Sequence, residues 1–310
     1  MPDTSWGKRL HWLSVPLALT ALGWTIWLLW DSLPVLYATI PQLKWSWLVF
    51  TLLGNIVSSY LVFEAFRELF NRMQPEIYQR FELAHLYFTG QLMKHLPGRI
   101  WSVAYQSAVG SRASLAEWVG VTAVFMVLSV AFALWASSTA LGFFFGWQWG
   151  VGAFTVGLCF YVIGWSQSVL SPLLRLLRKV QFVALARLVL ALEAFTDVSV
   201  RLKITIWCWF SASWLLYLLA WAGYGMAWPG LNASDGIWLC AIYTAAWFVG
   251  YISLVTPSGA GVRELVFVLL AQSFPADAVA GMAVLGRVVL LFVDLLLGVA
   301  FIFLRNYKNE

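Results

Sequence analysis

Leu83–Gly110 reads LAHLYFTGQLMKHLPGRIWSVAYQSAVG, apolar on both sides of a break at Leu96-Pro97-Gly98-Arg99. Proline removes a backbone donor and stops a helix, and the glycine after it frees the turn. In a membrane protein such a stretch either crosses once or enters and returns to the same side. A single crossing would put the basic segment Ser171–Lys203 outside the cell. A returning hairpin puts it in the cytoplasm, where Lys and Arg accumulate. The hairpin is therefore the expected course. Backbone broken at membrane depth must be buried in protein or line a wet cavity.

Composition supplies the membrane. Of 310 residues, 62% are hydrophobic and 11% are charged, against roughly 25% charged in an ordinary globular domain. Mean hydropathy is +0.80. So few polar side chains cannot cover a soluble surface, which excludes a soluble enzyme, a disordered chain and a nucleic-acid-binding domain. The apolarity is continuous rather than alternating, which argues against a β-barrel. The net charge of +5 then reads as cytoplasmic loop charge. The expected fold is all-α: one polytopic helical bundle over residues 1–310, with about six to eight spans.

Outward from the hairpin, spans are expected at His11–Trp30, Trp45–Phe63, Trp118–Phe145, Val151–Leu170, Ile204–Trp228 and Val279–Leu304, with a further apolar run at Ile237–Val255. Both termini then lie in the cytoplasm. His11–Trp30 is as long as a full span and lacks a small-residue cleavage site, so it reads as retained. Glu64–Glu82 reads as an interfacial or cytoplasmic segment. Ser171–Lys203 carries Arg175, Arg178, Lys179, Arg187, Arg201 and Lys203 among helically spaced leucines and valines. That pattern predicts a basic amphipathic segment on the cytoplasmic surface. Trp45, Trp47, Trp147, Trp149 and Trp228 sit near span ends as belt residues. Trp135, Trp214, Trp221 and Trp247 lie deeper, where packing is the plain reading and stacking on a sugar ring the alternative. Cys159, Cys208 and Cys240 read as packed free thiols, with no metal spacing.

A second break, Thr256-Pro257-Ser258-Gly259-Ala260-Gly261, precedes the short apolar run Val262–Phe274. The pattern fits a re-entrant hairpin entered from the outer side or two tight crossings, and charge counting does not choose between them. The hairpin, the preferred course, would make the two halves a candidate inverted repeat. Paired Gly/Pro-interrupted segments of that kind mark transporter binding sites.

Ionisable residues inside apolar segments are costly and point to function. Lys94, His95 and Arg99 surround Pro97-Gly98 and suit an anion; headgroup contact at the inner interface is the bland reading. Arg263 and Glu264 follow Gly259-Ala260-Gly261. A helix starting there would offer free N–H groups to an anion, with Glu264 in its first turn; the bland reading is a pair that only shapes the hairpin. Arg287 and Asp294, seven apart, share a helical face. Glu264 is the expected partner of Arg287, and Arg263 or a hairpin cation that of Asp294. Glu264, Arg287 and Asp294 would then form a structural charge network. His11, His85 and His95 make no metal spacing, and neither a catalytic motif nor a cofactor motif is present.

The stretch Gly90-Gln91-Leu92-Met93-Lys94-His95-Leu96-Pro97-Gly98-Arg99 resembles the first motif of the lysylphosphatidylglycerol synthase transmembrane-region family, a flippase-like membrane domain. Thr256-Pro257-Ser258-Gly259-Ala260-Gly261-Val262-Arg263-Glu264 resembles its second, a P-x-G-x-G-x-x-E pattern. Arg287 and Gly298 fall where that family carries an arginine and a glycine. The chain departs from the pattern after Arg99, where Ile100-Trp101 replaces Gly-Glu, and at Ser258, which replaces a glycine. The resemblance implies a stand-alone member, without the aminoacyltransferase domain, that handles lipid.

The expected function is a bacterial inner-membrane lipid translocator or lipid-binding carrier for an anionic or polyprenyl-phosphate-linked lipid, serving envelope lipid or glycan assembly. The expected phosphate-binding residues are Lys94, His95, Pro97, Gly98, Arg99, Pro257, Ser258, Gly259, Gly261, Arg263, Glu264 and Arg287. No metal, cofactor or nucleic acid is expected. Two rivals share these residues. One is a membrane-embedded enzyme or enzyme subunit with Glu264 as base. The other is a scaffold recruiting a glycosyltransferase through Ser171–Lys203.

Overall fold

A computed structural model describes residues 34, 37–38, 40–74, 77–95, 101–164, 199–252 and 261–309. These contain α-helices and one 3-10 turn (Ile40–Gln42), and among them no strand. The helices are α1 (Trp45–Met73), α2 (Arg80–Met93), α3 (Trp101–Val109), α4 (Leu115–Phe145), α5 (Trp147–Gly164), α6 (Val200–Met226), α7 (Ala233–Ile252), α8 (Val262–Leu270) and α9 (Ala276–Asn309). Among the described residues, four stretches are long and apolar enough to cross a membrane: Trp45–Met73, Leu115–Phe143, Val200–Met226 and Ala278–Leu304. The expected span His11–Trp30 lies outside the described residues, as do 165–198, which hold most of the basic amphipathic segment.

The surface is inverted relative to a soluble protein. On α1, Val49, Leu53 and Val57 face outward while Thr51, Asn55 and Ser58 are buried. Water would demand the reverse; lipid tails tolerate it. The buried polar face makes the most extensive helix contact, α1 on α6. Gly54 lies so near Ala220 that an added methyl would meet its Cβ at 2.8 Å. The Thr51 hydroxyl reaches the Ala220 carbonyl at 3.0 Å, and the Ser58 and Ser213 hydroxyls each donate to the other's carbonyl at 3.0 Å. Small residues that admit close backbones, with hydroxyls between them, hold helices together where no hydrophobic effect can.

α6 and α7 repeat this device around a tight turn. Asn232 and Asp235 cap α7 reciprocally, each side chain accepting from the other's backbone N–H at 3.0 Å. Here the helices touch backbone to backbone, and a methyl group on Gly225 would collide with the Cα of Gly236. Gly225→Ala is therefore expected to cost about 1–3 kcal/mol by overpacking. Thermal unfolding in detergent measures this, with Gly152→Ala as control, since open space surrounds Gly152.

Two sequence boundaries move. α1 does not stop at Phe63 but runs ten residues further, into the stretch expected to be interfacial or cytoplasmic. Glu64 is buried there because Arg67 and Arg80 neutralise it, at 3.0 and 2.6 Å. Arg201 and Lys203, expected in the amphipathic segment, lie in the first turn of α6, whose N-cap is Ser199.

α2 and α3 lie side by side and antiparallel. Gly90 packs on Gln106 and Ser102, and Gly110 packs on Tyr78 and Leu86. Tyr78 clasps the open end: its hydroxyl donates to the Gly110 carbonyl and accepts from the Arg112 and Ala113 amides at 3.2 and 3.1 Å. Burial raises the phenol above its ordinary pKa, which keeps the donated proton in place. Arg112 crosses to Glu82 at 2.9 Å.

Two aromatic cores result. One joins α1, α2, α4 and α6 around Phe63, Phe66, Phe70, Phe88 and Trp118. The other joins α6, α7, α8 and α9 around Trp221, Tyr224, Tyr243, Phe267 and Met282. α9 contributes to both, and its polar side chains position the candidate site.

Candidate functional site

α8 begins at Gly261, whose φ of +81° favours a residue without a Cβ. The Glu264 carboxylate folds back onto this start, accepting from the Gly261 amide at 2.7 Å through Oε2. Its other oxygen accepts from Arg263 Nη2 and Arg287 Nη1, each at 3.2 Å. Both arginines are about 7% exposed. The Arg263 guanidinium also stands 5.8 Å from the Tyr243 ring centre, within cation–π range. The helix start expected to receive an external anion is therefore occupied by the chain's own carboxylate. What remains is charge: two buried guanidinium groups share one carboxylate.

Asp294 stands in a separate cluster. Its carboxylate meets Lys94 Nζ at 2.9 Å and His95 Nε2 at 2.9 Å. Both partners sit at the C-terminal end of α2, and His95 is buried. Gly298, one turn further on, lets α9 approach Leu92; an added methyl would meet that side chain at 2.6 Å. The partners of Asp294 are thus Lys94 and His95 of the hairpin and not Arg263. The expected single network of Glu264, Arg287 and Asp294 divides in two. Seven residues separate its halves, about 10 Å along the axis of α9. Each half fastens a different element: Arg287 holds α8 and Asp294 holds α2.

Pro97, Gly98, Arg99, Pro257, Ser258 and Gly259 lie outside the described residues. The structure brings together Gly261, Arg263, Glu264 and Arg287 at one post on α9, and Lys94, His95 and Asp294 at the other. Among the described residues no three His, Cys, Asp or Glu side chains are grouped to hold a metal. Cys159, Cys208 and Cys240 are free thiols, and only Cys240 is buried.

Sequence reasoning missed what surrounds Arg263. Tyr217, Trp221 and Tyr224 repeat at helical spacing along α6 and meet Tyr243 of α7. Trp221 stacks on Tyr243 with ring centres 3.8 Å apart, and Tyr217 lies 5.8 Å from Trp221. Tyr224 donates to the Met282 carbonyl at 2.9 Å, tying this wall to α9. The spacing on α6 was legible as one helical face. Its partner on α7 was not, because no local pattern names a residue across a helix pair.

Comparison with protein-family models, curated proteins and solved structures returned no match, so the family resemblance rests on the two sequence motifs.

Proposed function

We propose that the chain is a bacterial inner-membrane lipid translocator or lipid-binding carrier for a phosphate-bearing lipid, either an anionic phospholipid or a polyprenyl-phosphate-linked one. It would serve envelope lipid or glycan assembly as a member of the lysylphosphatidylglycerol synthase transmembrane-region family. The observation that carries this reading is the charge imbalance at α8. Arg263 and Arg287 are buried, and the one carboxylate between them offsets a single positive charge. A buried cation seeks a counter-charge, and lipid phosphate is the abundant anion in a membrane.

The layout supports it. α2 and α3 form one helical hairpin, and α7 and α8 flank the second break. α8 has nine residues, about 13 Å of helix, under half of a roughly 30 Å hydrocarbon core. In this proposal both pairs are re-entrant and related as an inverted repeat. The chain crosses about six to eight times, and both termini are cytoplasmic. Lys94 with Arg99 receives the phosphate at one face and Arg263 at the other, while the hairpins rock against α9. The enzyme reading loses ground: three donors already engage the Glu264 carboxylate, leaving it poorly placed to take a substrate proton.

The test is native mass spectrometry of protein purified in mild detergent. Wild type is expected to retain a specific phosphate-bearing lipid, and folded Arg263→Ala to retain at least about tenfold less, since a charged hydrogen-bond partner is lost. Equal retention of bulk lipid by both would sink the proposal and return the scaffold reading.

A further inference from the structure

The rings between α6, α7 and α8 hold polar atoms that the fold leaves unpaired. Tyr217 Oη, Trp221 Nε1, Tyr243 Oη and Arg263 Nε are sealed from solvent and find no hydrogen-bond partner among the described residues. Their residues are 9%, 1%, 2% and 7% exposed. Folded proteins pair nearly all such groups, and an unmade bond is most costly where water cannot reach. These four are neighbours. Trp221 lies on Tyr243, Tyr217 lies beside Trp221, and Arg263 stands over the Tyr243 ring.

Their chemistry selects a ligand. An indole N–H and a guanidinium N–H only donate, and a phenol can donate. Arg263 adds a positive charge that Glu264, shared with Arg287, offsets only in part. Donors with excess positive charge match the oxygens of an anion. An aromatic cluster alone would equally suit an ammonium group, but the guanidinium over Tyr243 repels one.

We propose that Tyr217, Trp221, Tyr243 and Arg263 form a phosphate site that takes a headgroup phosphate carrying no amine. This rests on the lipid-phosphate reading above and deepens it, by naming the neutral donors and the headgroup class.

The probes are dioctanoyl phosphatidic acid, dioctanoyl phosphatidylethanolamine and inorganic phosphate, titrated into full-length protein in detergent. The variants Tyr217→Phe and Tyr243→Phe keep each ring and remove only its hydroxyl. Wild type should bind the phosphatidic acid at least about tenfold more tightly than the phosphatidylethanolamine. Each variant should weaken the former about tenfold, the loss of one hydrogen bond to a charged group. Ligand-free melting temperatures should stay level or rise, because a hydroxyl without a partner has been removed. Unchanged affinity in both variants, or a lower ligand-free melting temperature, overturns the site. If Arg263→Gln loses phosphatidic acid while both Tyr→Phe variants bind like wild type, the lipid-phosphate reading survives and this site falls. If wild type ignores phosphatidic acid altogether, that broader reading fails. Inorganic phosphate binding with the same tyrosine dependence assigns a free anion; phosphatidic acid binding alone assigns a lipid headgroup, and either supports the site.

Discussion

Glu264→Ala is expected to destabilise the protein by about 3–5 kcal/mol, the range for stranding a buried charge by removing its partner. The expectation follows from how many groups depend on this carboxylate. Its removal leaves Arg263 and Arg287 facing each other without a counter-ion, and leaves the Gly261 amide uncapped. Neither arginine can escape to water, since both side chains are about 8% exposed. Nor can a guanidinium shed its proton, because it stays charged in proteins. Thermal unfolding in detergent measures the loss. The double variant Glu264→Ala with Arg287→Met should be less damaged than the sum of the two single changes, by about 1–3 kcal/mol of coupling. A Glu264→Ala protein that melts with wild type would show the cluster to be wet and the arginines solvated.

Asp294→Ala is expected to cost about 2–3 kcal/mol, less than the loss at Glu264. The difference lies in what its partners can do. The Lys94 side chain is 40% exposed and can turn its ammonium to water. His95 is buried, but an imidazole can stay neutral and so strands no charge. The same change frees the end of α2 from α9, so the α2–α3 hairpin should loosen ahead of the rest of the fold. Hydrogen exchange reads this locally: faster exchange in 83–95 with little change in α6 is the expected pattern. Uniform acceleration across the chain would mean that Asp294 holds the whole bundle and not one hairpin.

How much was legible in the sequence follows from where the determining interactions lie. Apolar runs are local, so the long helices from Trp45, Leu115 and Val200 could be read directly. Pro97-Gly98 and Pro257–Gly259 lie outside the described residues, but the helices on either side of them, α2 and α3 and then α7 and α8, stop and start where the residue chemistry predicts an interruption. The extension of α1 past Phe63 could not be read from charge content, since charge of both signs reads as an interfacial or cytoplasmic segment and does not say where the helix stops. Their spacing held the correction: Glu64 and Arg67 are three apart and pair on one helical face. The Glu264–Arg287 pair was foreseeable because each residue, alone in an apolar segment, needed an opposite charge. Asp294 had several cations available, and only the packing of α2 on α9 selects Lys94 and His95. The unpaired hydroxyls near Arg263 were invisible, since the want of a partner belongs to three helices at once.

The two posts on α9 also carry opposite signs. Leucines and valines fill the helix between and around them, and apolar side chains alone would tolerate a slip along the axis. A slip of seven residues is the natural one, because two turns restore the same face. It would set Asp294 against Glu264 in one direction, or Arg287 against Lys94 in the other. Like charges at that depth repel strongly. The pair therefore works as a key cut with opposed teeth, so α9 seats at one depth among its neighbours and at no other.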